Sequence, residues 1–159
     1  MNESDSPSPN KPPNVSVIDE DEVSGLMTLN DNESLEHKHL CDANFESDLK
    51  SGDKISEDIF RFLEALAIWN TVRITKRRKE YFAESPNDLT LVSAAADYGM
   101  KLLERSEHRC TIDEMGEEKK LKILGTRVKY GKSKVSGVMV GREDGTGTLY
   151  IKGDYRSMR

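Results

Sequence analysis

Residues 144–154 read DGTGTLYIKGD. Gly145 and Gly147 stand between two runs with strand-like rhythm, VSGVMVG (135–141) and TLYIKG (148–153). Glycine reaches the positive φ angles that tight hairpin turns require, so the stretch predicts a β-hairpin. A hairpin makes its two strands antiparallel neighbours, which sets the character of the whole C-terminal region.

Upstream of that hairpin the same rhythm continues. MKLLER (100–105), CTIDEM (110–115) and LKILGTRV (121–128) read as further strands, punctuated by Gly116, Gly125 and Gly131. Before them the period changes from two to between three and four. Ile59, Phe62, Leu63, Leu66 and Trp69 recur at helical steps and predict a helix over 57–72, with Ser56 as its cap and Ile55 and Phe60 as a hydrophobic staple. The β-branched Thr71, Val72, Ile74 and Thr75 weaken that helix toward its end. A second helix opens in ESPNDLTLVSAAADYG (84–99). Ser85 is its cap, Pro86 its first residue, Asp88 a capping-box partner, and Gly99 its left-handed stop. Helices followed by strands in this order predict an α+β fold, with helices packed on an antiparallel sheet. No internal repeat is present.

The 159 residues carry a net charge of −5, unevenly spread. Residues 1–54 hold 13 acids and 4 bases; residues 55–159 hold 16 acids and 20 bases. The first segment contains SDSPSPNKPPN and the run DEDE (19–22), with no apolar period. Such a segment buries too little apolar area to offset its chain entropy. We therefore expect a disordered acidic Pro/Ser-rich segment over 1–54 and a folded domain over 55–159. The longest apolar stretch, IFRFLEALAIW (59–69), contains Arg61 and Glu64 and is too short for a membrane span. The chain opens without a signal peptide, so a cytoplasmic protein with reduced thiols at Cys41 and Cys110 is expected.

Several chemistries find little support. His37, His39 and Cys41, with His108 and Cys110, match the spacing of no compact zinc module, so no metal site is expected. TKRRKE (75–80) is basic but lacks the interleaved aromatics of a nucleic-acid surface, and reads as a solvated connection. No nucleophile elbow, HExxH motif or Walker loop is present.

The segment YFAESPNDLTLVSAAADYGMKLLER (81–105) resembles part of the nucleotide-binding domain of the flippase branch of the P-type ATPases. That family carries Tyr-x-Ala-x-Ser-Pro-Asp-Glu-x-Ala-Leu-Val-x-Ala-Ala, often followed by Gly-Phe and an Arg. FLEALAIWNTV (62–72) is similar to its Leu-Ala-x-Cys-x-Thr-Val run. TLYIKGD (148–154) is similar to its Leu-Tyr-x-Lys-Gly-Ala-Asp segment. The three matches fall in the family's order and cover about 59–159.

The resemblance implies an ATP site, and carries over in part. Asp88 stands at the acid of the Ser-Pro-Asp-Glu box, one methylene shorter, with Asn87 beside it. Lys152 stands at the lysine of Lys-Gly-Ala-Asp, with one small residue missing before Asp154. In RVKYGKSKVSGV (127–138), Val128 falls where the family has its adenine-stacking Phe. Lys132 and Lys134 fall at two Arg positions and Ser133 at a Lys position, with Tyr130 nearby as a substitute stacking ring. The cofactor-binding set is thus Asp88, Tyr130, Lys132, Lys134 and Lys152, with ATP as ligand and Mg in the intact family. A lost base stack is worth about 1–3 kcal/mol and a lost charged hydrogen bond about 1.5–3 kcal/mol. Together they weaken ATP binding by a factor of order 100.

Asp144 is not expected to be the phosphorylated aspartate. It follows the nucleotide-binding motifs instead of preceding them, and Gly145 occupies the place of a required Lys. No catalytic residue is expected in the chain. The resemblance implies a fragment or degenerate copy of the ATP-binding domain of a phospholipid-translocating ATPase, meeting membrane only through transmembrane parts outside this chain. The alternative from composition is a non-enzymatic protein-interaction module with an acidic tail.

Overall fold

The computed structural model describes residues 17–28, 43–77, 79–129, 135–156 and 158, with 127–129 as backbone alone. Its helices are α1 (Ala43–Lys50), α2 (Lys54–Ile68) and α3 (Pro86–Asp97). Its strands are β1 (Val17–Ile18), β2 (Arg73–Thr75), β3 (Tyr81–Phe82), β4 (Met100–Arg105), β5 (Arg109–Glu114), β6 (Glu117–Lys129), β7 (Val135–Gly141) and β8 (Gly147–Gly153).

The fold is α+β. Strands β4 to β8 form a five-stranded sheet in sequence order, antiparallel at every step. Along each strand alternate residues face the helices. Met100 and Leu102 are buried while Lys101 is exposed; Val138 and Val140 are buried while Met139 is exposed. The buried face meets Leu63, Ala67 and Ile68 of α2 and Leu89, Val92 and Ala95 of α3 in one core. Each Leu, Ile or Val among them contributes about 1.5–3 kcal/mol of apolar burial.

The hairpin read from DGTGT is present. Arg142 and Thr146 close it (N–H to O, 2.9 Å), and Gly145 has φ +82°. The Asp144 carboxylate accepts from both the backbone N–H (2.8 Å) and the hydroxyl (2.6 Å) of Thr146.

Helix α3 has the expected limits: Ser85 Oγ accepts from the N–H of Asp88 (3.4 Å), Pro86 opens the helix, and Gly99 stops the turn at φ +83°. Helix α2 differs from expectation at both ends. Asp53, not Ser56, is its cap, because the carboxylate accepts from the N–H groups of Ile55 (2.9 Å) and Ser56 (3.1 Å). Ser56 instead donates its hydroxyl to the carbonyl of Leu49 (2.8 Å), tying α1 to α2. Ile55, expected as a staple residue, and Phe62, expected on the apolar face, remain about half exposed. The helix ends at Ile68, and the β-branched residues after it leave helical structure altogether, with Arg73–Thr75 becoming β2.

Two elements fall within residues 1–54, where composition gave no sign of them. Strand β1 pairs in parallel with β2, burying Ile18, and α1 packs on α2 through Leu49, with Phe45 edge-on to Tyr98 at 4.9 Å. Part of the acidic run then meets the basic turn. Lys76 Nζ pairs with Asp19 at 2.9 Å, and the N–H of Arg77 donates to Glu20 at 2.8 Å. The turn read as a solvated connection is therefore partly covered by the chain's own acids. No helix among the described residues is long and apolar enough to cross a membrane.

Candidate functional site

Asp88 lies in the first turn of α3 because the Ser85 cap and Pro86 start the helix three and two residues before it. Its carboxylate does not return a capping-box bond to Ser85. One oxygen accepts from the N–H (2.9 Å) and the hydroxyl (2.7 Å) of Thr71, and the other lies 3.3 Å from the ammonium of Lys152. The tertiary partners win because two of them come from a segment, 69–72, that has left the helix and has bare backbone groups to satisfy.

Lys152 comes from the far end of β8, where it lies opposite Ser136 of β7. Its ammonium also donates to the carbonyl of Trp69 (3.2 Å). The indole N–H of Trp69 donates to Ser136 Oγ (2.8 Å). The end of α2, the start of α3 and the last two strands thus converge on one point. The Asp88 side chain is 12% exposed and that of Lys152 is 49% exposed. A largely buried carboxylate therefore stands beside a cation that water can reach. Such a pair offers a hydrogen-bond acceptor and a positive charge to one ligand.

Residues that the sequence did not single out hold this site in place. Arg105 donates to the backbone carbonyls of Asn70 and Ala67 and to the side chain of Asn70. It thereby neutralises the carbonyl-rich end of α2. Burial pushes the Arg105 guanidinium below its ordinary range, and the same burial pushes the Cys110 thiol up. Asn70 in turn accepts from the N–H of Val72 (3.1 Å). Earlier along α2, buried Glu64 receives both terminal nitrogens of Arg142 (3.0 and 2.8 Å) and the hydroxyl of Tyr150. The bidentate pair fixes the β7–β8 hairpin against α2, and so fixes β8, which carries Lys152. Burial, then the bond to Glu64, raises the Tyr150 phenol above its ordinary range. Arg142 was not singled out in the sequence, because its partner lies 78 positions away and leaves no local signal.

Of the expected site, Asp88 and Lys152 are adjacent. Tyr130, Lys132 and Lys134 lie outside the described residues, as does Ser133. Val128 is in β6, its backbone paired with Ser136. Asp144 is exposed at the hairpin tip, and its bonds from Thr146 hold its carboxyl below the usual range. Cys110 is buried in β5; His37, His39 and Cys41 lie outside the described residues. Among the described residues, no group of three metal-ligating side chains is clustered.

No protein-family model matches the chain. It is 34% identical over 99 residues to a phospholipid-transporting ATPase IC of Xenopus tropicalis, covering 61% of this chain and 8% of that one. It is 30% identical over 141 residues to a phospholipid-transporting ATPase of Schizosaccharomyces pombe, covering 86% of this chain and 10% of that one. It is 35% identical over 79 residues to phospholipid-transporting ATPase 1 of Arabidopsis thaliana, covering 50% and 7%. The chain spans a tenth or less of the length of these relatives. By these comparisons it is similar to one limited part of the phospholipid-transporting ATPases, in agreement with the flippase-branch resemblance of its motifs.

Proposed function

We propose that this chain corresponds to the nucleotide-binding domain of a phospholipid-transporting P-type ATPase, in a form with a weakened ATP pocket. The domain is the α+β unit from about residue 55 onward, joined by the described elements of the acidic segment. In an intact pump of this kind, the domain presents ATP with Mg to an aspartate in a separate domain on the cytosolic side of the membrane. Asp88 accepts a hydrogen bond from the adenine amine, and the Lys152 ammonium, 3.3 Å from that carboxylate, meets the same end of the nucleotide. Lys132 and Lys134 add positive charge, and Tyr130 is the substitute ring that the resemblance implies. Val128 in place of a Phe removes one stacking surface and weakens binding.

The observation that carries this reading is the 3.3 Å approach of Asp88 and Lys152, which are 64 residues apart in sequence. Motifs that match a nucleotide site in order also meet in space. An ATP titration followed by amide NMR tests it. Shifts clustered at Asp88, Thr71 and Lys152 support the reading, and no shift at millimolar ATP rejects it.

One observation favours the alternative, a scaffold without nucleotide. Both oxygens of Asp88 and the ammonium of Lys152 already have partners within the fold. In that reading the pair only latches segment 69–72 to α3 and β8. Substitution of Lys152 would then change stability and leave ATP without effect.

A further inference from the structure

The five-stranded sheet has two edges, β4 and β8, and they are finished differently. The β4 edge is blunted: its register shifts between Leu102 and Glu104, and the Tyr81 hydroxyl donates to the carbonyl of Leu102 (3.0 Å). Strand β8 runs in unbroken register with β7 from Gly147 to Gly153, and among the described residues it pairs with no other strand. Its outer face carries Leu149 and Ile151, 58% and 49% exposed. Its one charge, Lys152, is held on the inner face by Asp88 and Trp69. The hairpin fixes which way the backbone of β8 points. The N–H of Arg142 donates to the carbonyl of Thr146, so these two residues face each other. Bonded and non-bonded pairs alternate along an antiparallel ladder. Thr148, Tyr150 and Lys152 therefore turn their N–H and C=O groups to β7, while Gly147, Leu149, Ile151 and Gly153 turn theirs away from the sheet. The outward backbone groups and the exposed apolar side chains thus belong to the same residues.

From this we infer that β8 pairs antiparallel with β8 of a second copy of the chain, about a two-fold axis at Tyr150, so that one sheet continues across both copies. A two-fold interface must be complementary to itself, and β8 is. In this register Leu149 exchanges both backbone bonds with Ile151 of the second copy, and Gly147 with Gly153. The apolar cross-strand pair Leu149–Ile151 forms twice on the outer face. Lys152 lies opposite Thr148, so like charges do not meet. The exposed hairpin tip, with Glu143 and Asp144, comes alongside the end that carries Arg156 and Asp154 in the second copy. Sliding the strands by two residues in one direction leaves Leu149 opposite Gly153. Sliding them the other way leaves Ile151 opposite Gly147 and sets Asp144 toward Asp154. Packing and charge therefore favour the register centred on Tyr150.

The test uses the full 159-residue chain. Sedimentation equilibrium should show a dimer that forms as the protein approaches millimolar concentration. In a mixture of isotope-labelled and unlabelled chains, methyl contacts between Leu149 of one copy and Ile151 of the other should appear. Ile151→Pro removes an outward N–H and leaves the ladder to β7 intact, so the fold should persist. Dimer affinity should fall about tenfold or more, because the bond is lost at two symmetric positions. Should Ile151→Pro fail to fold, Leu149→Lys combined with Ile151→Lys decides instead, since it sets like charges opposite each other on the exposed face. A chain that stays monomeric at millimolar concentration, a dimer without Leu149–Ile151 contacts, or unchanged affinity in the folded variant overturns the inference. So does slow hydrogen exchange at the amides of Leu149 and Ile151 in the monomer, which would mark another segment of the same chain on this edge.

Discussion

The ammonium of Lys152 lies 3.3 Å from the carboxylate of Asp88, and the two differ in what each would cost to remove. Asp88 also accepts twice from Thr71, within a largely buried setting. Asp88→Ala leaves those donors unpaired and should destabilise the fold by about 1–3 kcal/mol. Lys152→Ala breaks a half-exposed pair and should cost less than about 1 kcal/mol. Urea midpoints of the two variants check the order. Equal costs would mean that the ion pair, and not the Thr71 bonds, holds the site together.

The Glu64–Arg142–Tyr150 group should show a similar asymmetry. The Glu64 side chain is 6% exposed and that of Arg142 is 29% exposed. Arg142→Ala strands a buried carboxylate and should cost about 3–5 kcal/mol. Tyr150→Phe removes one donor to the same carboxylate and should cost about 1–2 kcal/mol. Chemical denaturation at neutral pH measures both. A smaller loss for Arg142→Ala than for Tyr150→Phe would contradict the reading of Arg142 as the principal partner.

Tyr81 gives the fold an alkaline limit. Burial raises its phenol to about 12, from the ordinary value near 10. The native state then keeps its proton where the unfolded chain has lost it. Stability from this group is complete below pH 10 and falls as pH rises from there toward 12. Urea midpoints measured between pH 8 and 12 should decline over that window. The decline should be shallower in Tyr81→Phe. The ultraviolet titration of the five tyrosines should show late-ionising members, Tyr81 and Tyr150.

Two glycines at positive φ should respond differently to alanine. A Cβ at Gly99 would lie 2.3 Å from the sulfur of Met115, whereas one at Gly145 would meet nothing within 4 Å. Both substitutions carry the left-handed penalty of about 1 kcal/mol. Gly99→Ala should cost more, because Met115 must also move, and thermal unfolding of the two variants side by side reads the difference.

The large sheet was legible in the sequence because each strand is local: turn residues mark its ends, and its neighbour is the next strand in the chain. Helix α3 was legible for the same reason, since Ser85, Pro86 and Gly99 act within a few residues of themselves. The start of α2 was misread because Asp53 and Ser56 are both competent caps, and only the packing of Ser56 on Leu49 chooses between them. Strand β1 and helix α1 were missed because their stability comes from partners outside the segment: β2 for Val17–Ile18, and α2 for Leu49. The site divides the same way. Asp88 and Lys152 could be proposed from motifs, but Thr71, Asn70 and Arg105 act through backbone groups that no motif records.

Those distant partners also bear on where the folded unit begins. A chain starting at residue 55 loses the Asp53 cap and the buried side chains of Ile18 and Leu49. Burial of two such residues is worth about 3–6 kcal/mol. The shortened chain should therefore unfold at distinctly lower urea than the full one. Equal midpoints would show that the acidic segment adds nothing to the fold.

The most direct probe is the set of intermolecular nuclear Overhauser contacts between the adenine protons of bound ATP and the full chain. Contacts to residues 69, 71, 88 and 152 are expected, all at one end of the five-stranded sheet. Contacts confined to the basic turn around Lys76, or none at saturating nucleotide, would refute a purine site built on Asp88 and Lys152.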